Sequence, residues 1–127
     1  MLKEKLPTEH QEQAALMELV RMHEDKIPEL GNLTAIPLGG FRAKRTACIL
    51  AAEGVRAGYP DILLDVAKHG YHGLRIEMKR MGNKPTQLQR EWHERLVMQG
   101  YAVVVCYSAE EAWETILKYL GTGEMDE

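Results

Sequence analysis

Cysteine is scarce in this sequence. Cys48 and Cys106 are its only two, far apart in apolar surroundings, and neither has a second thiol at metal-ligand or redox spacing. A disulfide framework and a thiolate metal site are thereby excluded, and both residues read as buried free thiols of a reducing compartment. Long apolar runs are missing as well. No run approaches the roughly 20 residues of a membrane span, and the segment from Met1 to Pro7 lacks the continuous apolar stretch of an export signal. The expected setting is the cytoplasm, with no membrane partner. Nor is there a surplus of positive charge: 16 Lys and Arg against 19 Asp and Glu leave a net −3. A chain that holds polyanions by bulk charge is ruled out, so any contact with nucleic acid has to come from a local basic patch. The five histidines, His10, His23, His69, His72 and His93, form no zinc spacing backed by further ligands.

What is present suffices for one ordinary domain spanning residues 1–127. Of 127 residues, 45% are apolar and 28% charged, enough to bury a core without staples. No repeat, low-complexity tract or linker divides the chain. The core is expected over about residues 8–121, with 122–127 a disordered acidic tail.

Thr8 followed by Gln11 is a capping-box signal, and the apolar spacing after it predicts a helix from about Glu9 toward Ile27, ended or broken at Pro28. Leu33 to Pro37 reads as a short strand, and Gly39-Gly40 as a flexible entry to a helix over Arg42 to Glu53, with Gly54 at its C-terminal cap. Ile62 to Val66 and Leu74 to Lys79, joined by a glycine-bearing loop, predict an antiparallel hairpin. Thr86 with Gln89 opens another capped helix, closed by Gly100. The run Ala102 to Tyr107 looks like a parallel central strand buried on both faces, and Ser108 with Glu111 caps a last helix that stops at Gly121. The order αβαββαβα builds an α/β fold, a mixed sheet flanked by helices with a right-handed crossover through the helix of Trp92.

Alternation sends Leu74, Ile76 and Met78 to one face of their strand, and Arg75, Glu77 and Lys79 to the other. Residues two apart on a strand lie roughly 6.5–7 Å apart, so Glu77 can hold a metal while Lys79 reaches past it to a substrate oxygen or water. With Pro60-Asp61 opening the hairpin, two carboxylates and an amine converge on one sheet edge. Hydrolysis of a phosphodiester requires a nucleophilic hydroxide, neutralised phosphoryl charge and help for the leaving alkoxide. A hard cation held by carboxylates supplies these, and a site of acids without imidazole or thiolate suits Mg²⁺.

Pro60-Asp61 with Glu77-Met78-Lys79 resembles the motif of the PD-(D/E)xK nuclease superfamily. The wider context is Thr8 to Gln13, Ala35 to Gly40, Glu53 to Asp61, Gly73 to Lys79, and Gln89 to Trp92 before Gly100-Tyr101. Together these segments look like a stand-alone VRR-NUC domain of the phage type, similar from about Glu9 to Leu120, with a restriction-endonuclease-like core. The resemblance implies a Mg²⁺- or Mn²⁺-dependent DNA endonuclease. Its metal would be held by Glu9, Asp61, Glu77 and the Met78 carbonyl, with Lys79 and Gln89 completing the catalytic set and Gln13 one helical turn from Glu9. It also implies a homodimer acting on branched DNA such as four-way junctions. Candidate dimer surfaces are the helix around Ala43 to Ala52 and the apolar Met81. One departure is Leu38, where relatives often carry Asn.

Each residue also has a plainer explanation. Glu9 stands where a helix dipole favours any acid, and Glu12 competes for its role. Asp61 can end a turn, Glu77 and Lys79 can be a solvated strand face, and Gln89 can serve only the cap. Asp65 reads as a solvated strand residue. Arg42, Lys44, Arg45, Arg56, Arg80 and Lys84 cluster around the motif segments and are candidates for phosphate contacts that position DNA. No element reads as a base-reading helix, and Tyr59 and Phe41 fit core packing better than base stacking. Two other functions compete: a DNA-binding module of the same fold without hydrolysis, and a hydrolase of small phosphoesters.

Overall fold

Thr8 starts the first helix as its spacing to Gln11 predicts. Its hydroxyl accepts from the Gln11 N–H while the Gln11 side chain accepts from the Thr8 N–H, and α1 covers Glu9–His23. A computed structural model describes residues 6–36 and 44–121, with positions 44–47 as backbone only. After α1 come a 3₁₀ helix (Pro28–Asn32), β1 (Leu33–Ala35), α2 (Lys44–Ala52), β2 (Ile62–Leu64), β3 (Leu74–Met78), α3 (Gln87–Met98), β4 (Ala102–Cys106) and α4 (Ala109–Leu120). The order is the expected one.

The first helix stops earlier than its apolar spacing suggests. It ends at His23, whose ring Nδ1 contacts the Leu19 carbonyl at 2.8 Å, and the 3₁₀ helix then begins on Pro28, a residue that suits a first helical position. Leu16, Val20 and Leu30 thereby face one core from two short elements instead of one long helix.

The four strands form one mixed sheet in the order β1-β2-β3-β4. β1 and β2 are antiparallel, as are β2 and β3, with Ile62 opposite Ile76; β3 and β4 are parallel. The reversal between β2 and β3 is tightened at His69-Gly70, both at positive φ, with the Tyr71 N–H bonded to the Lys68 carbonyl at 2.8 Å. Two positive φ values in succession are the signature of a turn whose twist matches its strands.

The apolar run in β4 marks a parallel strand, but at the sheet edge and only partly buried. The central, fully buried strand is β3. Burial on both faces comes from helices packing on each side, and Leu74, Ile76 and Met78 join α1 and α4 in the core while Arg75, Glu77 and Lys79 are covered from the other side. Cys106 is buried as expected, but Cys48 is exposed, because α2 turns that position outward. Among the described residues no helix is long and apolar enough to cross a membrane.

Candidate active site

The register fixes the centre of the site. Ile62 pairs with Ile76, so one step further Asp61 stands beside Glu77, and cross-strand neighbours point to the same face. Both carboxyls are buried, Glu77 to 1% exposure and Asp61 to 7%, and Lys79 next to them to 8%. Asp61 Oδ2 accepts from the Met78 N–H at 2.8 Å. Proline has no N–H, so Pro60, opposite Met78 if pairing continued, offers the Met78 carbonyl no ladder bond.

Helix α3 supplies the far wall. Gln89 and His93, four residues apart on one helical face, both reach Glu77: Gln89 Nε2 donates to Oε2 at 3.1 Å, and His93 Nε2 lies 3.2 Å from Oε1. Gln89 does this while its amide oxygen accepts from the Thr86 N–H at 2.8 Å, so a single side chain caps the helix and holds the carboxylate. Burial depresses the His93 pKa, with Lys79 acting the same way and Asp61 against it. When Glu77 is ionised its carboxylate only accepts, so the ring then meets it with Nε2–H.

The electrostatics are those of like charges short of a partner. Burial, then the hydrogen bond and repulsion from Glu77, lift the Asp61 pKa from its ordinary 3.8 to about 7. Burial likewise lifts Glu77 from 4.5 to about 7, with Glu9 adding to the rise and Asp61 and Lys79 opposing it. The two titrate as a coupled pair. With all of them ionised, three carboxylates (Glu9, Asp61, Glu77) and one ammonium (Lys79) carry an excess of two negative charges, which one divalent cation would neutralise. Among the described residues no three side chains form a ready-made metal cage. Mg²⁺ asks for less, since it uses one or two carboxylates together with waters and substrate phosphates. The donor set, all oxygen and hard, fits that class of ion.

The sequence candidates divide clearly. Asp61, Glu77, Met78, Lys79 and Gln89 are together, and Glu9 is near enough for its charge to act on Glu77. Glu12 has other work: its Oε1 accepts from the Ala109 N–H at 2.9 Å and so caps the start of α4. Gln13 is half-buried one turn beyond Glu9. Arg56, Arg80 and Lys84 are exposed, and Arg80 reaches the Leu6 carbonyl at 3.5 Å. Lys44 and Arg45 open α2, with no side-chain placement described; Arg42, Leu38, Phe41, the Gly39-Gly40 pair and the 122–127 tail lie outside the described residues.

Two contributors do not stand out in the sequence. His93 enters there only as a zinc candidate, although its offset of four from Gln89 is visible. Arg75 is a buried strut: its guanidinium donates to the Tyr59 hydroxyl, Asp65 and the Leu74 carbonyl, each at 3.1 Å, and lies 4.4 Å from the Tyr101 ring centroid. Tyr59 is thus tied down just before Pro60-Asp61, half-buried against Trp92 and not in the core expected of it. Asp65 is exposed just past β2 and pairs with Arg75. Gly58 completes the anchoring. At φ +91° it lies so close to α3 that a Cβ would sit 2.9 Å from the Leu88 carbonyl carbon.

Comparison with known proteins adds the family. The profile of the VRR-NUC domain matches residues 8–110. A solved structure described as a VRR_NUC domain protein is 32% identical, with a TM-score of 0.78 over 96% of this chain and 95% of its own. No curated protein matches.

Proposed function

The chain belongs to the VRR-NUC domain family, nuclease-type DNA-processing domains, and on that premise we propose that it is a Mg²⁺- or Mn²⁺-dependent DNA endonuclease acting on branched DNA. The observation that carries the metal dependence is the buried Asp61–Glu77 pair, whose charge is short of a counterion beside Lys79. Asp61, Glu77, the Met78 carbonyl and Glu9 would hold the ion. When bound, such an ion lowers the pKa of water and offsets charge on the phosphoryl oxygens.

The remaining steps belong to the chain. Lys79, fixed by burial two residues from Glu77, donates to a phosphoryl oxygen or orients the attacking water, and its charge stabilises the pentacoordinate transition state. Gln89 and His93 occupy the two oxygens of Glu77 and fix its orientation, so that little rearrangement is needed during the reaction. The exposed Arg56, Arg80 and Lys84 offset the repulsion between DNA and the acids and position the backbone, and Arg42, Lys44 and Arg45, close in sequence, would add to the same charge. No helix is required to read bases, so the choice of substrate follows DNA shape. A second copy of the chain would present two such sites to the paired strands of a junction.

Purified protein incubated with linear, nicked and four-way-junction DNA, in Mg²⁺, Mn²⁺ or EDTA, tests the reading. Cleavage that needs the metal and is lost in Lys79→Ala supports it. Metal-independent binding with no cleavage of any substrate would favour a silent DNA-binding module instead.

A further inference from the structure

Helix α3 carries two stripes of chemistry. One, Gln89 and His93, holds Glu77. The other begins one residue earlier, at Leu88, and continues through Glu91, Trp92 and Arg95. With Arg56 and Ala57 from the segment leading to Pro60-Asp61, it lines a surface groove of about 300 Å³. Successive positions on a helix are turned by about 100°, so the groove lies on a face of α3 next to the one that holds Glu77.

Its lining is unusual for a solvated surface. The Trp92 indole is half-buried, fixed edge-on by the Tyr59 ring with centroids 5.0 Å apart, and the Arg95 guanidinium stands 5.7 Å from its centroid. Leu88 is a large apolar side chain left 54% exposed at the groove wall. Neither Arg56 nor Arg95 forms an ion pair among the described residues. The one acid in the lining, Glu91, accepts from Gln87 Nε2 at 3.1 Å. Two unpaired guanidiniums against one carboxylate leave the groove positive in a chain that is negative overall.

An aromatic ring flanked by cations and apolar surface recognises a flat heterocycle attached to a phosphate. We infer that the groove is a subsite for an unpaired nucleotide of the DNA strand whose phosphodiester lies at Glu77 and Lys79. The base stacks on Trp92 against Leu88, and Arg56 and Arg95 meet the flanking phosphates. Stacking of this kind tolerates any base. Bases within a continuous duplex present no free face to the indole, so the subsite selects DNA with a flap, gap or splayed junction. The inference rests on the DNA-nuclease reading and deepens it.

Equilibrium binding of the full chain in EDTA tests it, by fluorescence anisotropy with three labelled probes: a paired duplex, the same duplex with a five-nucleotide gap, and one with a flap. The wild type should prefer the gapped and flapped probes. Trp92→Ala should weaken those two by roughly 5- to 150-fold and change the paired duplex by less than about twofold, a ratio that general loss of folding does not produce. Trp92→Phe, which keeps a stacking ring, should recover most of the affinity. Arg95→Gln, an exposed change that leaves the core intact, should reduce the salt dependence on the gapped probe by about 0.7 in log–log slope. Equal losses on paired and gapped DNA, no loss on either, or a wild type without preference would overturn the inference. A wild type that cleaves with Mg²⁺ yet ignores Trp92 sinks the subsite alone. Binding through Trp92 without metal-dependent cleavage sinks the nuclease reading alone.

Discussion

Replacing Asp61 with Asn should abolish cleavage and at the same time stabilise the metal-free protein at alkaline pH. Burial raises the carboxyl pKa of both Asp61 and Glu77 to about 7. A folded-state value above the unfolded one means that the proton is held more tightly in the folded protein. This stabilisation is full below about pH 4 and is lost as the pH rises through about 7. Between pH 5.5 and 8 roughly 1.5 pH units of that window are crossed, which at ~1.4 kcal/mol per unit is about 2 kcal/mol for each carboxyl that keeps its proton. For a chain of this size 2 kcal/mol corresponds to roughly 6–8 °C in Tm. The Asp61→Asn side chain would keep an oxygen to accept from the Met78 N–H and gain an amide that can donate to Glu77, without a charge. Thermal melts in EDTA at pH 5.5 and 8 should therefore show the wild type losing several degrees and Asp61→Asn losing less, with the variant the more stable at pH 8. A variant less stable than wild type at pH 8, or a wild-type Tm that does not fall between the two pH values, would refute the argument.

Other expectations follow from individual contacts. Lys79→Ala should lower kcat on DNA by roughly 10²- to 10³-fold, as for loss of a preorganised charge donor, while binding in EDTA is nearly kept. Single-turnover kinetics separate the two. Gln89→Ala and His93→Ala should each cost about 10- to 100-fold in activity or metal affinity by freeing Glu77, and only the former should also lose about 1 kcal/mol of stability with its capping box. Glu12→Ala should lower Tm through the lost cap on α4, by about 0.5–2 kcal/mol, and leave cleavage intact. Glu9→Gln should do the reverse, so paired melts and cleavage assays tell the two acids apart. Gly58→Ala must push α3 away from the Pro60-Asp61 turn, costing about 1–3 kcal/mol from strain at positive φ, with activity falling further than stability because Gln89 and His93 move with the helix.

Local signals are the most legible part of the chain. Thr8 with Gln11 and Thr86 with Gln89 form the reciprocal caps that their spacing announces, and Gly121 closes α4 at φ +83°. These features depend on neighbours three or four residues apart. What the sequence hides depends on distant ones. Val103 to Val105 look the same in a central or an edge strand, because an apolar run reports the helices packed over it and not which strand lies beyond. The early end of α1 at His23 is hidden since Ile27 and Leu30 continue the apolar spacing from a different element. The Asp61–Glu77 pairing is legible because an antiparallel hairpin fixes the register, and Lys79 follows by alternation. His93 is not, since its partner Glu77 is 16 residues away and only the placement of α3 over β3 brings them together. The role of Glu12 as a cap on α4 is hidden for the same reason, since Ala109 is 97 residues away.

If Asp61 and Glu77 share a divalent cation within reach of Lys79, anomalous diffraction at the manganese edge, from crystals grown with Mn²⁺ near pH 8, will locate it. A single strong peak within about 2.5 Å of oxygens from both carboxylates, absent in Asp61→Asn, is the expected result. Manganese bound elsewhere, with no peak between these two carboxylates, would contradict it.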